Sequence, residues 1–567
     1  MRYLRPIAPF LPLALLAPLT LAQSLENSRL PGTLATPFGN STTVQSAGDT
    51  NGDGSEDFIV WGISQSVPLV EEARMHSGAD GTLLHRTTLG STFVTPGLCL
   101  SVLGDLDADG VLDYARGGSH FIPSGAGLHG FVRIHSGMTG NLLFEIPYTA
   151  SLFPAGDGVS FGQGIGSVGD VTGDGIPDIG IGAPFEHNSG GGGGGGVYVF
   201  SGVLGTPLYH VNAPAGSEAF GETITRLGDL SGDGTPDYLI GAINENTTGA
   251  VYAISGANGA TLYRIPGEAN DQYLGLHLEP MGDLDGDGMN DFIIGTRTSS
   301  ASQGSYARIK AYSGASGTLL FSQGYGTQGA IRLGSISSTI DSNQDGFRDL
   351  LIAAQSDRGT YPGLGLVLHV SGADGSVLSV QEGDLPNMGV ASVTSLGDRT
   401  GNGHADWAVG HFSTLGLDQA GMVQIMHGGC TVAETPSCNV PANSTGVAAS
   451  LQAVACGEAT SQGQMQIRMT DLPSAEFGFV LMAPQGGSFP LAGSTLCLGG
   501  AITRLNSPTT GMFRSDDNGY ASRLVDWSAF PQGAMVLPGS TWHFQVMHRD
   551  QGLATSFHLT HALAITF

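Results

Sequence analysis

Hydrophobic positions along the chain fall in short runs of strand length. Asp178-Ile-Gly-Ile-Gly-Ala183, Asp237-Tyr-Leu-Ile-Gly-Ala242 and Asp291-Phe-Ile-Ile-Gly-Thr296 are apolar stretches opened by an aspartate and closed around a glycine. Such runs predict β-strands bounded by turns. A second set alternates, as in Val197-Tyr-Val-Phe200 and Val251-Tyr-Ala-Ile254, and leads into a Ser-Gly turn. That turn recurs as His76-Ser-Gly-Ala-Asp-Gly81, His135-Ser-Gly-Met-Thr-Gly140, Ile254-Ser-Gly-Ala-Asn-Gly259, Tyr312-Ser-Gly-Ala-Ser-Gly317 and Val370-Ser-Gly-Ala-Asp-Gly375, and is followed by pairs such as Leu83-Leu84 and Leu319-Leu320. Each unit thus reads as four strands, with a hairpin around Ser-Gly.

The polar positions between the first two strands of each unit carry the chemistry. An acidic nonapeptide, D-x-[DNTS]-x-[DN]-G-x-x-D, starts at Asp49, Asp105, Asp170, Asp229, Asp283, Asp341 and Asp398, at spacings of 56, 65, 59, 54, 58 and 57 residues. A fixed period of this length marks one supersecondary unit stacked repeatedly around a common core. Seven four-stranded units predict an all-β, seven-bladed β-propeller.

The copy Asp283-Leu284-Asp285-Gly286-Asp287-Gly288-Met289-Asn290-Asp291 places carboxylates at positions one, three, five and nine. Calcium takes six to eight oxygens, from carboxylates, carbonyls and water. Position six is glycine in every copy (Gly54, Gly110, Gly175, Gly234, Gly288, Gly346, Gly403), where the backbone must turn through a conformation costly for a side chain with Cβ, and position seven offers its carbonyl. The first half imitates an EF-hand loop, but the flanks are strands. The expected ligands are therefore Asp49, Asn51, Asp53 and Asp57; Asp105, Asp107, Asp109 and Asp113; Asp170, Thr172, Asp174 and Asp178; Asp229, Ser231, Asp233 and Asp237; Asp283, Asp285, Asp287 and Asp291; Asp341, Asn343, Asp345 and Asp349; and Asp398, Thr400, Asn402 and Asp406. Up to seven Ca2+ sites are expected. Ligand charge ranks them, and the Asp398 copy, with two carboxylates, is expected to be weakest.

Composition agrees with that chemistry. The expected ligand positions hold 22 of the 49 acidic residues, so without those carboxylates the formal charge of −28 would be −6. No basic footprint for nucleic acid is present. Arg2 and Arg5 precede an apolar stretch from Pro9 to Leu21, and Thr20-Leu21-Ala22 suits cleavage, so residues 1–22 read as a secretory signal peptide. The mature chain is expected to be secreted or at the cell surface, and no later segment reaches the length of a membrane span.

From Cys430 neither signature recurs. Strand-like runs at Gln464–Met469, Phe477–Met482, Thr541–Met547 and Leu559–Phe567 predict a small C-terminal β-sandwich over residues 430–567, after a propeller over 23–429. The tail is similar to a C-terminal module of secreted bacterial repeat proteins through Pro441-Ala-Asn-Ser-Thr-Gly446, Cys497-Leu-Gly-Gly500 and Trp542-His-Phe-Gln545. Cys430, Cys438, Cys456 and Cys497 allow three disulfide pairings, whereas Cys99 stands alone in the propeller and reads as a buried thiol.

Phe38-Gly39, Phe161-Gly162 and Phe220-Gly221 precede the acidic loop, and Gly182-Ala183 and Gly241-Ala242 follow it. Together with the loops these resemble the FG-GAP repeat of integrin α-subunit propellers and of secreted bacterial FG-GAP proteins, over about Ser24 to Gly429. The resemblance implies a seven-bladed propeller with calcium in hairpin loops on one rim. Leu274-Gly275, Leu333-Gly334 and Met388-Gly389 depart from the Phe-Gly pattern. The seventh unit stops at Met426-His-Gly-Gly429 without an outer strand, so the stretch 24–36 is expected to pair into it and close the ring.

Several local motifs are decoys. Gly158-Val-Ser160-Phe-Gly162 fits a nucleophile elbow, but its register is that of a Phe-Gly pair. Gly164-x-Gly166-x-x-Gly169 runs into an acidic loop, not a helix. His543, His548, His558 and His561 read as surface residues, and Gly190 to Gly196 as a floppy loop. The expected function is a monomeric, calcium-stabilised binding or adhesion scaffold for an extracellular protein or glycan, not an enzyme. Its rivals are a propeller lectin and a glycan- or lipid-acting hydrolase or lyase.

Overall fold

A computed structural model of the chain describes residues 23–31, 43–64, 70–88, 94–95, 99–122, 127–148, 160–186, 194–300, 304–325, 331–356, 365–382, 388–399, 403–413, 422–433, 436–438, 441–444, 446, 448–455, 464–470, 472–473, 476–491, 494–504, 513–514, 521–526, 540–550 and 557–566. The expected leader, Thr400 and Asn402 lie outside them. The described residues are all-β, with a single 3-10 turn at Glu245–Thr247.

Antiparallel four-stranded sheets of the kind that make propeller blades follow one another along the chain. The fourth, for example, orders Phe220–Gly228, Asp237–Ala242, Ala250–Ile254 and Thr261–Pro266 in sequence, from first strand to last. Its two middle strands are buried throughout, whereas the outermost shows only Ile265 to the interior. Middle strands covered on both faces read as continuous apolar runs, and outer ones alternate. The second sheet gains a short strand, Val94–Thr95, beside Asp113–Ile122.

Each sheet packs face to face on the next. Val132 and Ile134 of the second sheet meet Ile179 and Ile181 of the third, and Val197 and Val199 of the third meet Ile240 and Tyr252 of the fourth. Burying one such side chain contributes about 1.5–3 kcal/mol. Val44, Phe58 and Val60 of the first sheet also share a core with Leu396, Ala408, Val423 and Ile425 of the seventh.

The Phe-Gly and Gly-Ala signatures lie at these joints. Phe220 is fully buried, and Gly221, at φ +97, faces Gly182 of the preceding sheet, where an added Cβ would come within 1.9 Å of the Gly221 carbonyl. No other residue fits so close a backbone approach. Leu274-Gly275 does the same job: Leu274 is fully buried and Gly275 has φ +98.

First strands expose an unpaired edge, and side chains of the neighbouring sheet satisfy it. The Val102 amide donates to Gln45 Oε1 (3.2 Å), Ser338 to Glu279 Oε1 (2.7 Å) and Val393 to Ser335 Oγ (2.9 Å). The last sheet serves the first likewise, with Val44 and Ser46 amides donating to Ser392 Oγ (3.1 Å) and Thr394 Oγ1 (2.8 Å). First strands of all seven sheets line one cavity of about 540 Å³, from Gln45, Ser101, Ser167, Glu222 and Glu279 to Ser335 and Thr394.

The N-terminal stretch pairs where the sequence suggested. Gln23–Pro31 runs antiparallel to Met422–Cys430 and adds a fourth strand to the seventh sheet. The strand Met422–Ala433 crosses the expected domain boundary: Met422–Met426 pair with Trp407–His411, and Thr431–Ala433 with Ala453–Ala455. Beyond it, Gln464–Thr470 and Ala521–Asp526 extend that sheet, while Phe477–Ala483, Thr541–Arg549 and Ala562–Thr566 form another. Cys497 is disulfide-bonded, and Cys99 is a free thiol that burial pushes up to about 11.

Two expectations fail. His548 and His558 are buried, and they face each other across paired strands with ring centroids 6.1 Å apart. The chain folds back after Asp550, so cross-strand register governs them rather than spacing along one strand. Gly194 to Gly196, the end of the glycine run, are buried too: the amides of Gly194 and Gly195 donate to the Glu186 carbonyl at 3.3 and 3.1 Å.

Candidate metal centres

Every acidic loop folds around its first aspartate. In the fifth copy, Asp283 Oδ1 accepts from the amides of Gly286 (2.7 Å) and Asp287 (3.1 Å), and Oδ2 from that of Gly288 (2.9 Å). Asp49, Asp170 and Asp229 accept the same three amides of their loops, Asp105 and Asp341 the last two, and Asp398 accepts from Gly403. This wrap needs the sixth-position glycine, which has φ +89 at Gly288. Position five closes a smaller turn, with Asp287 Oδ1 accepting from Met289 N at 2.8 Å.

The ninth aspartate has a second task that sequence reasoning missed. Asp57, Asp113, Asp178, Asp237, Asp291, Asp349 and Asp406 are all fully buried. In each, Oδ2 accepts the amide of the loop's second residue, and Oδ1 accepts the glycine amide of the unit's Ser-Gly turn or, for Asp406, that of Gly428 after His427. For Asp291 these bonds reach Leu284 (2.6 Å) and Gly314 (2.8 Å). One carboxylate therefore staples the acidic loop to the hairpin that follows it. A signal existed: position nine is aspartate in every copy, while position three varies.

A carboxylate oxygen has two lone pairs, so an amide bond leaves capacity for a cation. Among the described residues, Asp105 with Asp107 and Asp113, Asp283 with Asp285 and Asp291, and Asp341 with Asp345 and Asp349 each bring oxygens within 4.8 Å of one another. Ligands at 2.3–2.6 Å on opposite sides of a calcium ion stand about 5 Å apart, so these clusters fit a hard divalent cation. The carboxylates at Asp49, Asp170 and Asp229 do not gather so tightly, and there Asn51, Thr172 and Ser231 replace the third-position carboxylate. Asn51 and Asn343 instead donate to Asp53 and Asp345, at 2.8 and 2.7 Å.

The electrostatics favour a bound cation most where carboxylates crowd. Burial, with repulsion from Asp107 and Asp109, pushes Asp113 up to about 6 against the pull of the Gly137 and Leu106 amides. Burial and the neighbouring Asp109 and Asp105 also raise Asp107. Asp229 is held below the ordinary range, chiefly by the Gly234 amide.

The decoy serine has a structural partner. Ser160 Oγ accepts the Phe185 amide at 3.1 Å, ahead of the buried Phe161.

With the geometry in hand, comparison with known proteins is specific. Residues 161–200, within the third unit, match the FG-GAP repeat family model. Integrin alpha-4 of Xenopus laevis is 29% identical over 208 residues, covering 32% of this chain and 19% of that protein. Integrin alpha-2 of Bos taurus is 33% identical over 141 residues (22% and 12%), and integrin alpha pat-2 of Caenorhabditis elegans 30% over 222 (34% and 17%). The aligned stretches thus span no more than a fifth of these relatives. The chain thus carries an FG-GAP repeat and is similar in sequence to integrin α subunits.

Proposed function

We propose that this protein is an extracytoplasmic binding or adhesion scaffold: a closed, seven-bladed propeller whose acidic loops hold calcium, followed by a β-sandwich. The observation that carries the reading is the repeated ninth aspartate, which staples two hairpins in every unit and, as Asp113, Asp291 and Asp349, also joins a carboxylate cluster that fits a cation. A bound ion there neutralises crowded carboxylates and stiffens the joint between the strands. Calcium's part is structural; the residues of the chain orient the loops and hold their carboxylates in place.

Closure is supported by the core shared between the seventh sheet and the first and by the pairing of Gln23–Pro31 into the seventh. A ring without open edges resists edge-to-edge aggregation. The disulfide at Cys497 supports an oxidising compartment, and no helix among the described residues is long and apolar enough to cross a membrane. The ligand is an extracellular protein or glycan, presented to the loops of one rim, and the relatives named as integrin α subunits favour an adhesive role over an enzymatic one.

The reading is tested by immobilising the chain from Gln23 to Phe567 and measuring capture of extracellular matrix proteins and arrayed glycans in calcium and in chelator. Calcium-dependent, saturable capture supports a calcium-held scaffold. Turnover of a glycan or lipid, without saturable capture, would overturn it.

A further inference from the structure

The second residue of an acidic loop reaches the next sheet. Leu106, Val171 and Leu230 lie against the Ser-Gly turns at Gly202, Gly256 and Gly314, each one sheet further along. In the seventh loop this residue is Arg399, and the next sheet is the first. Its Nη2 donates to the Ala79 carbonyl, in the first sheet's Ser-Gly turn, at 2.6 Å and across 320 residues of sequence. The Arg399 amide is held by Asp406 at 3.0 Å, as the second residue's amide is in the other loops.

Arg399 is the only cationic residue at position two in the seven copies, and it stands in the copy poorest in carboxylates. Its Nε and Nη1 are buried without a hydrogen-bond partner among the described residues. The carboxylates that attract its charge are Asp406 of its own loop and Asp53 and Asp80 of the first sheet. The guanidinium thus takes the place that Leu106, Val171 and Leu230 hold in their loops, against the hairpin of the next sheet. A loop with only two carboxylates and a half-buried guanidinium on its second residue is a poor host for a divalent ion.

We propose that the seventh loop works without metal: Arg399 latches the last sheet to the first whether or not calcium is present. The proposal rests on the calcium reading of the other loops. It implies a molecule that loosens in chelator at its metal-held loops while its closing seam stays shut.

Native mass spectrometry in calcium would count ions on the chain from Gln23 to Phe567 and on Asp283→Asn and Asp398→Asn. Asp283→Asn is expected to lose one ion and Asp398→Asn none; loss of an ion on Asp398→Asn overturns the proposal. If neither wild type nor Asp283→Asn holds calcium, the calcium reading fails, and the latch is judged by melting alone. In chelator, Arg399→Gln is expected to melt lower than wild type by about 3 °C or more, and Arg399→Lys to recover at least half of that loss. Equal melting of Arg399→Gln and wild type, or no recovery with lysine, overturns the latch. Should Arg399→Gln not fold, Arg399→Lys and Asp398→Asn still decide.

Discussion

Asp237→Ala separates the two tasks of the ninth aspartate. Asp237 is fully buried, and it accepts amides of Leu230 (2.8 Å), Ser231 (2.8 Å) and Gly256 (3.0 Å). Alanine leaves these donors without their acceptor, the Gly256 bond being buried in the hairpin and those of Leu230 and Ser231 part-buried in the loop. An orphaned buried donor costs about 1–3 kcal/mol, and three that share one acceptor are not fully additive, so the loss is about 3–5 kcal/mol. With an unfolding entropy of about 2.1 cal/mol/K per residue over a propeller of about 400 residues, each kcal/mol moves the melting temperature by about 1.2 °C, or about 4–6 °C in all. The control is Asp233→Ala, whose exposed carboxylate accepts only Thr235 N at 2.8 Å and costs under about 1 kcal/mol without metal. Differential scanning calorimetry in chelator distinguishes them. Equal melting of the two variants would falsify the staple, because it would mean that the ninth carboxylate acts through the ion alone.

Other perturbations have definite outcomes. Asp113 is raised to about 6, above its unfolded value near 3.9, so in metal-free protein its contribution to stability is complete below about pH 4 and is lost as pH rises through 6. Calcium must displace that proton, so affinity at the second loop is expected to weaken as pH falls through 6; calorimetric titrations at pH 5 and 7, with Asp113→Asn as control, measure it. Gly195→Ala is expected to cost about 2–4 kcal/mol, since φ is +84 and a Cβ would lie 2.4 Å from the Phe220 carbonyl, whereas Gly54→Ala, at φ +86 with open space around it, costs only about 1–2 kcal/mol. Urea melts rank them. Lys310→Met strands Asp271, which is 1% exposed and 2.7 Å from Lys310 Nζ, and is expected to cost about 3–5 kcal/mol; the same melts test it.

Much of this molecule is legible in its sequence because its interactions repeat. Strand-length runs between Gly and Ser-Gly turns give the sheets, and the fixed order of Asp, Asn and Gly gives the loops. Less legible are contacts that depend on register between distant segments. The burial of His548 against His558 follows from a hairpin that spacing does not reveal, and Gly195 is fixed by Phe220, from the next unit. The pairing of Gln23–Pro31 was inferable by subtraction, from a unit missing its outer strand. The stapling role of Asp237 and its equivalents was hidden because an aspartate at that position suits metal ligation and hydrogen bonding alike. Arg399 stood in plain view at position two, but its partner at Ala79 lies 320 residues away in the first sheet.

The most direct measurement is calcium titration of the chain from Gln23 to Phe567 by calorimetry, paired with thermal melts in calcium and in chelator. Several bound ions and a melting temperature that falls on chelation are expected, with a smaller fall and fewer ions in Asp285→Ala/Asp287→Ala. No binding and an unchanged melt would contradict the account, and would make the seven acidic loops turns that hold themselves together by hydrogen bonds alone.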